Sequence, residues 1–288
     1  MATDYSIRSL CYAHCDLPAE FCAGVPIHSG EGLKTLAMHY VLLSRQDEEG
    51  KARHVLVDCG FDEAWIPRFG FYDWQPPATI LGRVGLQTSD VEKILISHMH
   101  FDHINALRYF PDVDLILHRQ EYDGWVERVA LPAHLFPMGE QSWLLSSFDR
   151  GDLDVISDYM SRGKVEFNAD GEEVLPGVTA RLSGAHSPGN QWFSVETSNG
   201  TYVVAQDAVY WYSNVEEMWP SGYTNGDTYK MVLDYGEIYE HLGGDIDRII
   251  PGHEMQIYER HPSWTVDKLQ IGEIHVADWD TSLRPDGA

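Results

Sequence analysis

Three imidazoles and a carboxylate crowd into the six positions from His98 to His103, within Ser97-His-Met-His-Phe-Asp-His103. The cluster follows the short apolar run Lys93-Ile-Leu-Ile-Ser97, which has the length of a buried strand. The histidines therefore stand at a strand's C-terminal end. In an extended segment residues two apart project to the same side, so His98 and His100 can converge on one ion. Asp102 and His103 follow as the chain turns and, being adjacent, can diverge towards a second ion a few ångströms away. Such ligands suit borderline divalent metals, zinc among them. Two metals need more than four ligands, so a fold built on this cluster has to bring others from elsewhere in the chain.

The rest of the chain alternates strand and helix signals. Residues 36–44 and 53–58 read as an antiparallel hairpin across the charged turn Gln46 to Lys51. A strand is expected at 114–117, then a helix from Arg119 to Arg128, then an irregular stretch bearing Pro132, Phe136, Pro137, Trp143 and Phe148. We read residues 121–164 as an inserted segment, either a lid over a pocket or an oligomer contact. Further strands fall near 178–183, 191–197, 201–206 and 248–250, with a helix over 228–242. Two strand-rich halves without repeats suggest two stacked sheets in one domain over 1–288. The polar tail after Trp279 reads as frayed.

Three more candidate ligands stand beside small residues or proline at strand ends. They are His186 in Ser183-Gly-Ala-His-Ser-Pro-Gly189, Asp207 in Val203-Val-Ala-Gln-Asp-Ala208, and His253 in Ile249-Ile-Pro-Gly-His-Glu254. A His-x-His-x-Asp-His cluster followed by a lone His, an Asp and a last His resembles the metallo-β-lactamase superfamily over roughly residues 36–255. That resemblance implies a mixed α/β (α+β) fold, the four-layer αββα sandwich. It also implies two divalent ions, zinc foremost: His98, His100 and His186 on the first, Asp102, His103 and His253 on the second, and Asp207 bridging. Asp58, in Leu56-Val-Asp-Cys-Gly60, resembles the superfamily's Asp-Thr-Gly turn and would orient a ligand imidazole by accepting its N–H.

Hydrolysis by a metal-bridging hydroxide is what such a pair implies. Redox diiron relatives carry Glu where this chain has His100, and a one-metal persulfide dioxygenase would not need the full second set. Tyr210 lies three positions after Asp207, where the N-acyl homoserine lactone lactonases carry a catalytic Tyr; a phenol there can donate to a developing oxyanion. The resemblance thus points to opening of a lactone, with Tyr210 and Asp102 as catalytic residues and Asp102 as the proton shuttle. Two features depart from those enzymes: Ile104-Asn-Ala106 replaces their small residues, and about 82 residues separate His103 from His186. Another lactone, a cyclic amide or an aromatic ester therefore stays open, with Trp192, Trp211 and Trp219 as further wall candidates. A glyoxalase II-like thioesterase, or another carboxylic ester hydrolase, is the alternative.

Charge narrows the partners. Forty-five acidic against 20 basic side chains give a net charge of −25, which repels phosphate backbones and anionic lipid and disfavours a nuclease. A small neutral substrate is expected, with no nucleic acid and no membrane as partner; the family resemblance suggests a homodimer. The first residues lack a basic start followed by an apolar run, so the chain reads as cytoplasmic. Cys11, Cys15, Cys22 and Cys59 fit no common disulfide or zinc spacing and read as reduced, buried thiols, although Cys11, His14 and Cys15 could form another metal site. His39 and His118 read as core or rim residues; His134, His241, His261 and His275 read as surface positions.

Overall fold

The computed structural model describes residues 4–24 and 28–281. Among them thirteen strands run in chain order: β1 (Ser6–Pro18), β2 (Leu33–Gln46), β3 (Ala52–Val57), β4 (Val91–Ile96), β5 (Asp114–His118), β6 (Val165–Asn168), β7 (Glu173–Leu175), β8 (Val178–Leu182), β9 (Gln191–Thr197), β10 (Gly200–Gln206), β11 (Ile249–Pro251), β12 (Ser263–Val266) and β13 (Leu269–His275). They form an eight-stranded sheet ordered β12-β13-β1-β2-β3-β4-β5-β6 and a five-stranded sheet ordered β11-β10-β9-β8-β7.

The hairpin of β2 and β3 is antiparallel, and Asp47 closes its turn by accepting the backbone N–H groups of Glu49 and Lys51. From β3 to β6 the pairing is parallel. Parallel strands sit between covered faces, and the runs Ile94-Leu-Ile96 and Leu115-Ile-Leu117 are accordingly buried throughout. In the second sheet β8 and β10 both pair antiparallel with β9, and β11 pairs parallel with β10. So β8, β10 and β11 point the same way, and the residues following them leave from one end.

The 13-residue β1, central in the large sheet, was not expected from sequence. Ser6, Arg8, Ser9 and His14 interrupt any alternation, yet all four are buried. Their polar atoms are met inside the protein: Ser9 Oγ lies 2.6 Å from His39 Nδ1, and Arg8 pairs with Asp280 at 2.8 Å. That ion pair, with the Trp279 indole donating to Asp4 O at 3.0 Å, also ties down the start of the supposedly frayed tail. Residues 282–288 lie outside the described range.

Segment 121–164 falls within the β5-to-β6 connection. A parallel pair needs a long crossover, and here helices Arg119–Val129 and Arg150–Ser161 provide it. Irregular chain with two short 3₁₀ turns, Ala133–Leu135 and Gly139–Gln141, lies between them. Trp125, Leu145, Phe148, Ile156 and Tyr159 face inward, each such burial contributing about 2–3 kcal/mol. Leu135, Met138 and Trp143 stay exposed.

Candidate metal centre

Seven side chains from both sheets meet at these strand ends. His98, His100, Asp102 and His103 follow β4, His186 follows β8, Asp207 follows β10 and His253 follows β11. They divide into two groups whose ligand atoms lie within 4.8 Å of one another: His98, His100, His186 and Asp207, and then Asp102, His103 and His253. Asp207 faces both. Its Oδ2 lies 3.3 Å from His186 Nε2 and 3.7 Å from His98 Nε2, while Oδ1 lies 3.2 Å from His253 Nε2 and 3.3 Å from His103 Nε2. Asp102 Oδ2 stands 3.5 Å from His103 Nε2 and 3.6 Å from His253 Nε2. His100 enters through Nδ1, 2.9 Å from the Nε2 atoms of both His98 and His186.

Backbone strain helps to place the carboxylates. Gln206 and Asp58, each next to a strand end, adopt positive φ angles of 44° and 61°. Asp58 then accepts three bonds of 2.7 Å, from Ser97 N, Ser97 Oγ and His103 Nδ1. By accepting from it, the carboxylate holds the His103 proton on Nδ1 and leaves Nε2 facing Asp207. His253 Nδ1 is served by Ala37 O at 3.2 Å.

The electrostatics of the protein alone are unbalanced. Burial, followed by the charges of neighbouring imidazoles, holds His98 and His100 well below the ordinary histidine range; burial likewise takes His186 down to about 4. For His103 burial acts in the same direction, but Asp207, Asp102 and Asp58 outweigh it and push the ring well up. Asp207 is held low against burial by His253 and His103. His103 Nε2 and Asp207 Oδ1 are buried with no hydrogen-bond partner. Nitrogen and carboxylate donors, unsatisfied and facing one another, fit divalent cations and fit little else. Among the described residues these are the only two such groups, and neither includes Cys11, His14 or Cys15. All four cysteines are free and buried.

A pocket opens onto the cluster. His100, Asp102, Asp207, Tyr210 and His253 line it together with Leu17, Phe21, Leu36, Met38, Phe69, Phe71, Phe101, Ser147 and Tyr223. The Tyr210 ring lies 5.0 Å from that of His253 and 5.4 Å from that of His186. Burial and then the charges of Asp207 and Asp102 hold its phenol well above the usual range, so it keeps its proton. The expected tryptophan walls are elsewhere. Trp192 packs on His241 at 5.7 Å, Trp211 meets His28 at 6.5 Å, and Trp219 abuts Gly24. Phe21, Phe69, Phe71 and Phe101 take their place, Phe21 from the short helix Ala19–Ala23 directly after β1. Trp125 lies behind the site, stacked on Phe148 at 4.2 Å and 5.6 Å from His100.

Among the other histidines, His39 is buried and satisfied by Ser9 and Pro251 O, and His118 accepts from Gln120 N. His134 and His241 are exposed, whereas His261 and His275 are half-buried. Glu121 was overlooked. Fully buried, it accepts from Met99 N, Trp125 Nε1, Ser187 Oγ and Gly189 N at 2.6–2.8 Å, joining the loop of His98 and His100 to that of His186. A helix-starting Glu gives no sequence signal for this role.

The family model for the metallo-beta-lactamase superfamily matches residues 48–253, most of the chain and all seven of these side chains. The chain belongs to the metallo-beta-lactamase superfamily. Within that superfamily it is 27% identical over 190 residues to the N-acyl homoserine lactonase AiiA of Bacillus thuringiensis subsp. kurstaki. That alignment covers 61% of this chain and 66% of the relative, just under two thirds of its length. In fold it matches the crystal structure of a quorum-quenching N-acyl homoserine lactone lactonase, with TM-score 0.65 and 22% identity over 89% of this chain and 94% of that one. It also matches AidC, described as a dizinc quorum-quenching lactonase, with TM-score 0.63 and 15% identity over 88% and 89%. The two sheets with their helices are the superfamily's αββα sandwich. Among the described residues no helix is long and apolar enough to cross a membrane.

Proposed function

We propose that this chain is a metal-dependent hydrolase that opens a lactone, or a related cyclic ester or amide, at a centre holding two divalent ions, zinc foremost. The observation that carries this reading is Asp207, with one oxygen turned to each histidine group at 3.2–3.7 Å. The first ion would be held by His98, His100 and His186, the second by Asp102, His103 and His253, with Asp207 shared. Such a pair supplies acidification of a water molecule at neutral pH and polarisation of a carbonyl.

The remaining work falls to the protein. The apolar walls bind a small neutral substrate and exclude water, which strengthens every polar contact at the floor. Tyr210, protonated and on that floor, donates its hydroxyl to the oxygen on which negative charge develops. Asp102, beside it in the same lining, accepts the proton released during attack and returns it to the leaving alkoxide.

The alternative is a glyoxalase II-like thioesterase or another carboxylic ester hydrolase. Among the described residues no Lys or Arg lines the pocket, which favours a neutral ring over a glutathione conjugate with its carboxylates. Metal analysis combined with a panel of lactones, cyclic amides, thioesters and linear esters separates these readings. Fastest turnover is expected on a lactone with about two metal equivalents bound. Preference for a thioester would transfer the assignment to the alternative, and a protein binding no metal would remove both.

A further inference from the structure

Four of the five histidines at the centre have a partner on the ring nitrogen that faces away from the cluster, and for His100 that partner is Asn225. Its Oδ1 lies 3.0 Å from His100 Nε2. The amide's orientation is determined by its other end: Nδ2 lies 3.1 Å from the backbone oxygen of Trp143, which can only accept. Nδ2 must face Trp143, so Oδ1 must face His100, and His100 must carry its proton on Nε2. Its Nδ1 lone pair is thereby left free at the point where His98 and His186 converge.

The same residue touches a second member of the group. The Asn225 backbone N–H donates to His186 O at 3.0 Å, and its own carbonyl accepts from Arg128 at 2.6 Å. Asn225 is 5% exposed, so water does not replace these bonds. Next to it, Gly226 passes so close to Ala185 that a Cβ there would overlap the Ala185 carbonyl. The segment is further laced to the β5-to-β6 connection by the Tyr223 hydroxyl, which hydrogen-bonds Ser146 at 2.8 Å and also contacts Ser147.

We infer that Asn225 is a positioning residue for the first metal site: it selects the Nε2–H tautomer of His100 and holds that ring, through Trp143, in register with the 143–147 segment. The inference rests on the metal-centre reading above. An acceptor on a ligand imidazole's outer N–H fixes its orientation and basicity, and loss of such a partner typically costs 10–100-fold in metal affinity.

The test uses the full chain and zinc alone, titrated against a chromophoric chelator, with thermal unfolding of each metal-free variant as the folding control. Wild type is expected to bind two ions. Asn225→Ala is expected to bind the first-site ion about 10–100-fold more weakly. Asn225→Asp keeps an acceptor for His100 and loses the donor to Trp143, and is expected to recover most of that affinity. Wild-type zinc affinity in a folded Asn225→Ala protein overturns the inference, as does an Asn225→Asp variant as weak as Asn225→Ala. Should Asn225→Ala fail to fold, ring-nitrogen NMR of the zinc-loaded wild type decides: His100 protonated on Nε2 supports the assignment, and protonation on Nδ1 overturns it. A wild-type protein that binds no zinc would instead defeat the underlying reading, a result distinct from all of these.

Discussion

Gly252 passes so close to Asp207 that a Cβ built on it would overlap Oδ1 of the carboxylate, with the Gln206 carbonyl carbon only 2.8 Å away. The absence of a side chain one residue before His253 is what lets β10 and β11 deliver two of the seven groups to one point. Gly252→Ala must displace either Asp207 or the 252–253 backbone. Metal content measured by plasma mass spectrometry is expected to fall from two equivalents towards one or fewer, with hydrolysis down at least about 100-fold. Retention of two ions would mean that the loop relaxes freely.

Asp58 accepts three hydrogen bonds in full burial, one of them from His103. Asp58→Ala leaves the His103 ring without its orienting acceptor. Zinc affinity at the second site is expected to drop about 10–100-fold in chelator competition.

Tyr210 lines the pocket and belongs to neither group of metal-ligand candidates. Tyr210→Phe keeps the ring and deletes the donor. Turnover of a lactone is expected to fall about 10–10³-fold with metal content unchanged. Equal turnover would remove the phenol from the mechanism.

Glu121 satisfies four donors on two ligand loops and the 119–129 helix. Glu121→Ala orphans buried N–H groups, each costing about 1–3 kcal/mol. A loss of roughly 3 kcal/mol or more is expected in urea unfolding of the metal-free protein, an effect on folding that precedes any effect on chemistry.

Asp234 gives a pH-dependent prediction away from the centre. Burial raises its carboxyl to about 6, against the pull of its bond from Ser183 Oγ at 2.6 Å and the charge of Lys230. Because the folded form holds the proton more tightly than the unfolded chain, the resulting stabilisation is complete below about pH 4 and disappears as pH rises through 6. Asp234→Asn keeps an acceptor for Ser183 and does not ionise. Its melting temperature relative to wild type is therefore expected to rise between pH 4 and pH 8 in metal-free protein; a constant difference would contradict the raised carboxyl.

The ligand candidates were legible because their chemistry is local. His98, His100, Asp102 and His103 lie in one short stretch after an apolar strand, and His186, Asp207 and His253 each follow a strand beside Gly, Pro or Ala. Strand periodicity likewise exposed β2 to β5 and β8 to β11, whose apolar runs are continuous or alternate. What local pattern could not carry is pairing across the chain. β1 is hidden because its buried Ser9 and Arg8 are satisfied by His39 and Asp280, partners 30 and 272 residues away. The pocket walls depend on β1 placing Leu17, and on the helix Ala19–Ala23 directly after it placing Phe21 against Tyr223, while the tryptophans nearest the ligands in sequence do not line the pocket. Asn225 and Glu121 look like ordinary loop and helix residues until packing places an imidazole N–H or four backbone and side-chain donors against them. Residue type and spacing therefore determined which chemistry the chain can perform. Only the tertiary structure decided which nitrogen of His100, His103 and His253 is free to perform it, because their outer nitrogens meet Asn225, Asp58 and Ala37, each far away in sequence.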